Sequence, residues 1–245
     1  MRDEELNVAP LHAELTAVLA AVDAPYEVIV VDDGSSDATF ARLREVQQSD
    51  PRVRLIRFTR NFGQTAAFAA GFAAARGRLI VTADGDLQND PADIPRLLEL
   101  ARTHDIVCGW RRERRDAFLT RRVPSAAANW LLSRLTGVTL HDNGCSLKVF
   151  RAAVVKPLKL RPGMHRYLPA LASQLGNRVA EVVVNHRPRR FGRSKVGLSR
   201  TFRVAADLLH LRRLMREAID PTGDAPRIYE IAEVVESPAA RAPVE

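Results

Sequence analysis

Short, continuous apolar runs alternate with segments of helical periodicity along the first 110 residues, and this alternation narrows the possible folds more than any other feature. The runs YEVIVV at 26–31, VRLIRF at 53–58, RLIVTA at 78–83 and DIVCG at 105–109 are separated by helical patterns at 38–47, 64–76 and 92–103. Continuous apolar stretches such as VIVV and LIV within the runs suit strands covered on both faces, as in a mostly parallel sheet flanked by helices. Strand and helix in strict alternation is βαβ logic. With 245 residues and 46% hydrophobic content, the chain can bury the core of one α/β domain.

Open sheets of this kind bind ligands beyond the carboxyl ends of their strands. Three polar clusters fall there: DDGSSD at 32–37, RNFG at 60–63 and DGD at 84–86. The third belongs to ADGDLQNDP at 83–91, where Asp84 and Asp86 stand one residue apart directly after the strand. Two hard oxygen ligands at a strand end suit Mg²⁺ or Mn²⁺, which take one or two protein carboxylates and complete their shells with water and phosphate oxygens. Asp and Gly are also ordinary turn formers. It is the neighbouring clusters at the same sheet edge that favour a metal and diphosphate site over a bare turn.

Beyond residue 110 the pattern is less regular. Helices are expected at 117–135 and 164–175 and strands at 147–150 and 179–185, with a loop at 141–145. The stretch RPRRFGRSK at 187–195 carries five cations in nine residues. An amphipathic helix at 198–216 follows, interleaving Phe202, Leu208, Leu209, Leu211 and Met215 with five arginines. It reads equally as a membrane-surface helix or as a helix docked on the domain with solvated arginines. From residue 220, Pro, Ala and Glu dominate, giving the expectation of a flexible tail with a short helix at 229–235. The domain expectation is therefore a catalytic unit at 1–196, a surface helix at 197–219 and a tail at 220–245.

A net charge of +8 and an isoelectric point near 10.3 favour anionic partners. Few aromatics lie among the basic residues, which disfavours base stacking and hence nucleic acid. Two cysteines, Cys108 and Cys145, are too few for a disulfide framework and read as packing residues of a reducing compartment. The longest apolar stretch, 65–75, is too short to span a bilayer. A cytoplasmic protein, peripheral on the cytoplasmic face of the membrane, is the expectation.

Five segments in order, VVDDGSSDAT at 30–39, RNFGQTAAFAAG at 60–71, DGDLQNDP at 84–91, DNGCSLKVFR at 142–151 and HRPRRFGRSK at 186–195, resemble polyprenyl-phosphate glycosyltransferases of the dolichyl-phosphate mannose synthase type. The resemblance implies a GT-A-type fold that transfers one sugar, with inversion, from a GDP- or UDP-sugar to a polyprenyl phosphate such as a dolichyl or undecaprenyl phosphate, using Mg²⁺ or Mn²⁺. It further implies Asp84 and Asp86 as metal ligands with Gln88 beside them, Asp86 and Asp142 at the reaction centre, and Glu4, Asp32, Asp33 and Asp84 around the nucleotide. Arg121, Arg122, Arg190, Arg193 and Lys195 are the candidates for the acceptor phosphate and the leaving diphosphate, because planar guanidinium forks match phosphate oxygens. Asp142 reads alternatively as a helix or turn cap.

In relatives of this type the domain begins with a buried strand ending in an acidic PxxNE motif, and Met1 leaves no room for it before Glu4. The sequence therefore predicts a sheet lacking its first strand and a true start upstream. Two competing readings are a truncated, non-catalytic relative that binds a nucleotide sugar or a membrane, and a transferase acting on a saccharide acceptor. The second would be expected to carry a QxxRW-type motif, which is absent.

Overall fold

The computed structural model describes residues 1–112, 134, 139–191, 217, 218 and 228–236. The expected helices at 117–135 and 198–216 lie outside the described residues, apart from isolated positions. Strand β1 (Val28–Asp32) pairs in parallel with β2 (Val53–Phe58), from Val28 opposite Val53 to Asp32 opposite Arg57. Alternate β2 side chains serve opposite faces, as the strand period of two requires. Val53 and Leu55 pack with Val8, Phe40 and Leu43 of α1 (Val8–Leu19) and α2 (Thr39–Ser49). Ile56 and Phe58 pack on the other face against Ala66 and Ala70 of α3 (Gln64–Ala74). Helix α1 lies before the first apolar run, and of its residues only Val8 is fully buried, so its sequence has little amphipathic contrast.

A second sheet has the order β3 (Leu79–Thr82), β5 (Lys148–Arg151), β4 (Ile106–Trp110), β6 (Val179–Val183). One face packs Ile106 and Phe150 against Leu168 and Leu171 of α6 (Leu168–Gln174), together with Val155 at the end of α5 (Ala152–Val155). The other packs Val107 and Val149 against Leu97 of α4 (Ile94–Leu100). The α/β layering is as expected, and in the second sheet β3, β4 and β6 share one direction while β5 is the reversed strand. β1–β2 and β4–β6 are parallel, whereas β5 runs antiparallel to both β3 and β4. An apolar run reports burial on both faces, and a central antiparallel strand satisfies that as well as a parallel one.

The expected short helix at 229–235 is also corrected. Ile231–Val235 forms β7, antiparallel on β2. Tyr229 stacks on Phe58 at 5.1 Å between ring centroids, and the buried Arg54 donates to Glu27, to Glu236 and to the Ala74 carbonyl. These contacts tie the strand to the sheet more firmly than its own polar-flanked sequence suggests.

Among the described residues no strand pairs with β1 or β3 on their remaining edges. Met1 lies between them at one end: its amino group donates to the Val31 carbonyl, its carbonyl accepts from Asp33 N at 2.8 Å, and its side chain reaches Gly85. No helix among the described residues is long and apolar enough to cross a membrane.

Candidate active site

The loop that leaves β3 is closed on itself by buried polar contacts. Thr82 Oγ1 donates to the Ser146 carbonyl at 2.6 Å. The side-chain oxygen of the buried Asn89 accepts from Asp84 N at 2.9 Å and from Ser146 Oγ at 2.8 Å. Leu87, fully buried, turns the chain in the left-handed region at φ 61°, a conformation that costs a non-glycine residue about 1–2 kcal/mol. Asp90 accepts from Ala92 N and starts the 3-10 turn Pro91–Asp93 that leads into α4. The result is a rigid platform for Asp84 and Asp86.

Asp84 Oδ1 accepts from Gln64 Nε2 at 2.7 Å, at the first turn of α3. Asp86 is 9% exposed, and its Oδ1 accepts from Gln88 N at 3.1 Å. Burial, reinforced by the charge of Asp84, pushes the Asp86 carboxyl above the ordinary carboxylate range. A divalent cation would relieve both effects, and the donor set is all hard oxygen, so these residues fit Mg²⁺ or Mn²⁺. Among the described residues no group of three or more His, Cys, Asp or Glu gathers to hold a metal.

The basic segment after β6 docks on the same loop. Arg187 N donates to the Gln88 carbonyl at 2.9 Å, Asn89 and His186 form an isolated antiparallel bridge, and the Arg187 guanidinium spans Glu14 and Asp90. Two residues on, Arg189 Nη2 lies 2.6 Å from Asp86 Oδ2 and Nη1 lies 3.2 Å from Glu4 Oε1. Arg189 Nη2 also lies 3.5 Å from Gln88 Oε1. Glu4 thus joins the acidic pair through Arg189, and its backbone N–H is fixed by Thr39 Oγ1 at 2.7 Å.

The carboxylates after β1 are used differently. Asp32 is fully buried; its Oδ1 accepts from Ser35 N and Oγ, and Arg57 Nε lies 3.6 Å from Oδ2. Asp33 accepts from Asn61 Nδ2 at 2.6 Å, Phe62 N at 2.7 Å and Gly63 N at 3.0 Å, which binds the loop after β2 to the end of β1. Burial raises the Asp33 pKa against the pull of those N–H groups. Between the two loops, Gly34 adopts φ +68°, and a Cβ there would meet the Arg60 carbonyl carbon at 2.4 Å. Only glycine permits that approach.

Asp142 sits in the loop entering β5, gripped by Arg111 from the end of β4. Arg111 Nε lies 2.7 Å from Oδ2 and Nη2 lies 2.9 Å from Oδ1. Gly144 N at 3.1 Å and Arg111 N at 3.3 Å also donate to this carboxylate. Glu181 of β6 accepts from the backbone N–H groups of His141 and Asp142 and from the His141 ring, which stacks on Trp110 at 4.1 Å. Burial alone would lower the Arg111 pKa; the hydrogen bonds and charge of Asp142 overcome it, and Asp84 adds to the rise. The guanidinium therefore stays charged, with Asp84 near enough to feel it.

Of the remaining expected residues, Arg190 is exposed and lies over the Phe191 ring at 5.3 Å. Arg121, Arg122, Arg193 and Lys195 lie outside the described residues. Sequence reasoning passed over Arg111, Arg189, Gln64 and Asn89. Arg111 and Arg189 stood in arginine-rich stretches where nothing in the spacing says which side chain turns inward.

Residues 7–158 match glycosyl transferase family 2. The chain is 47% identical over 224 residues to the dodecaprenyl-phosphate galacturonate synthase of Rhizobium johnstonii, covering 89% of this chain and 66% of that protein. It is 36% identical over 209 residues to the undecaprenyl-phosphate 4-deoxy-4-formamido-L-arabinose transferase of Edwardsiella ictaluri, covering 84% of this chain and 64% of that protein. The chain thus spans just under two thirds of the length of these relatives. Among solved structures it resembles glucosyl-3-phosphoglycerate synthase from Mycobacterium tuberculosis in complex with Mn²⁺, UDP and glucosyl-3-phosphoglycerate. The TM-score is 0.65 at 20% identity, over 86% of this chain and 77% of that one, a likeness of fold.

Proposed function

This chain belongs to glycosyl transferase family 2, and we propose that within it the protein moves one glycosyl unit from a nucleoside-diphosphate sugar to a polyprenyl phosphate, with inversion. The observation that carries the reading is the docking of the basic 186–191 segment on the loop that bears Asp84 and Asp86. It brings cations suited to phosphate and carboxylates suited to a divalent metal into one site. The names of both sequence relatives, a dodecaprenyl-phosphate and an undecaprenyl-phosphate enzyme, support a lipid phosphate as the acceptor.

The residues divide the work as follows. Asp84 and Asp86 would hold Mg²⁺ or Mn²⁺, with Gln88 beside them; when bound, that ion would offset charge growing on the departing diphosphate. Asp32 and Asp33 shape the nucleotide side, Asp33 by fixing the 61–63 loop. The ion pair of Asp142 with Arg111 presents a fixed charge distribution beside the sugar rather than a mobile proton acceptor. No protein base is needed, since a phosphate monoester with a second pKa near 6 is largely dianionic at neutral pH. The acceptor needs positioning, which Arg121, Arg122, Arg190, Arg193 and Lys195 would provide at a membrane surface on the cytoplasmic face.

The test is transfer of label from a panel of UDP- and GDP-sugars, including a uronic acid, to a short polyprenyl phosphate with Mn²⁺ present. Product is expected with the intact chain and none with Asp86→Ala, whose circular dichroism spectrum should match that of the parent. Unimpaired turnover by Asp86→Ala would remove the metal assignment, and labelling of a saccharide but not of the lipid would redirect the acceptor.

A further inference from the structure

Building on the two-carboxylate metal site, we propose that Arg189 is a resident counter-ion of Asp86 that a divalent cation must displace. The donor's diphosphate draws the guanidinium away, so that metal and nucleotide bind interdependently.

The geometry sets up a competition for one oxygen. Asp86 Oδ1 is engaged by the turn's own amide, Gln88 N at 3.1 Å, and Oδ2 is the oxygen that meets Arg189. Arg189 Nη2 stands 2.6 Å from Oδ2, with Nη1 on Glu4 at 3.2 Å. A metal ion ligated through Oδ2 and a guanidinium bonded to it would be like charges a few ångströms apart in a partly buried site, where screening by water is weak. One must yield.

The loop is built so that the arginine can yield without unfolding. Its anchors are Arg187 N on the Gln88 carbonyl at 2.9 Å, the Asn89–His186 bridge, and the Arg187 ion pairs with Glu14 and Asp90. All lie at least two residues before Arg189, so its side chain can leave Asp86 while the loop stays docked. A metal arriving alone would strand that guanidinium next to a dication. A metal arriving with a diphosphate offers it a planar, bidentate anion in exchange. The ligand that removes the competitor thereby tightens the metal, and by linkage the metal tightens the ligand by the same factor.

Mn²⁺ binding to the full chain, followed by electron paramagnetic resonance of the free ion with and without UDP, tests this. The parent should bind Mn²⁺ weakly alone and on the order of tenfold or more tightly with UDP. Arg189→Gln should bind Mn²⁺ alone about tenfold more tightly and lose most of the UDP-dependent gain. Arg189→Lys, which keeps the charge without the fork, should fall between the two, and it carries the comparison if Arg189→Gln fails to fold. An unchanged or weakened affinity of these variants for Mn²⁺ alone overturns the proposal. Asp86→Ala separates the two layers: if it binds Mn²⁺ with UDP as the parent does, the metal site itself is misassigned, whatever Arg189 does.

Discussion

Asp50 lies far from the carboxylate pair and sets an acid limit on the fold. It is 4% exposed, accepts Arg52 Nε and Nη2 at 2.8 and 3.0 Å, and meets His12 Nε2 at 2.9 Å. The Arg52 hydrogen bonds are the main cause that holds its carboxyl far below the ordinary value of 3.8. A depressed folded pKa stabilises above the unfolded value and is lost as pH falls below it. Asp50→Asn should therefore cost about 2 kcal/mol at pH 7, and the difference from the parent should shrink steadily below roughly pH 4, as urea melts at pH 7 and pH 3 would report. Arg111 is the matching case inside the site. Arg111→Gln leaves the buried Asp142 without its bidentate partner, so transfer should fall by on the order of 100-fold and unfolding free energy by about 3 kcal/mol, read from kcat and thermal melts. Residue by residue, Asp84 and Asp86 could be singled out as candidates because polar clusters follow the neighbouring strands at the same sheet edge. Their partners could not, because an ion pair between β4 and the loop before β5, or between two loops a hundred residues apart, leaves no local spacing to read.

The elements that escaped the sequence reading are those whose burial is supplied by neighbours. Strand β7 is IAEVV with Ile231 and Val234 exposed, so its β-branched residues favour a strand but its own burial does not mark it as one. What fixes it is the hydrogen-bonded edge of β2, the Tyr229 ring on Phe58 and the Glu236 contact to Arg54. Removing residues 228–245 should lower the melting temperature by roughly 5 °C or more and release amide protection specifically in Val53–Phe58. Hydrogen exchange resolved by peptide checks this; unchanged protection in β2 would show that β7 contributes nothing to the edge. The four apolar runs, by contrast, all became strands within a few residues of their expected bounds, since each carries its own apolar signal, with β2 and β4 buried nearly throughout and β1 and β3 half-buried along much of their length.

At the scale of the molecule, the α/β layering and the shared direction of β1 with β2, and of β3 with β4, could be read from alternation, but the reversed β5 could not, because its direction depends on the path of the chain between strands. The net charge of +8 also belongs to this scale. Each Lys or Arg near an anionic bilayer contributes about 1 kcal/mol, and this attraction is screened within about 3 Å at 1 M salt. The protein should therefore co-sediment with anionic vesicles at low salt, release at 1 M NaCl and ignore neutral vesicles. Retention at 1 M would point to apolar insertion instead. The placement of β5 between β3 and β4, strands that precede it in the chain, has a consequence for how the protein is made. As the polypeptide leaves the ribosome, β3 and β4 emerge with a strand-wide space between them, their inner edges bare until residues 148–151 arrive to fill it. The loop holding Asp142 arrives on the same segment. The half-synthesised chain thus carries Asp84 and Asp86, proposed to hold a metal, before it has Asp142, proposed for the reaction centre, and its two waiting edges are where a chaperone, or a wrong strand, would find it.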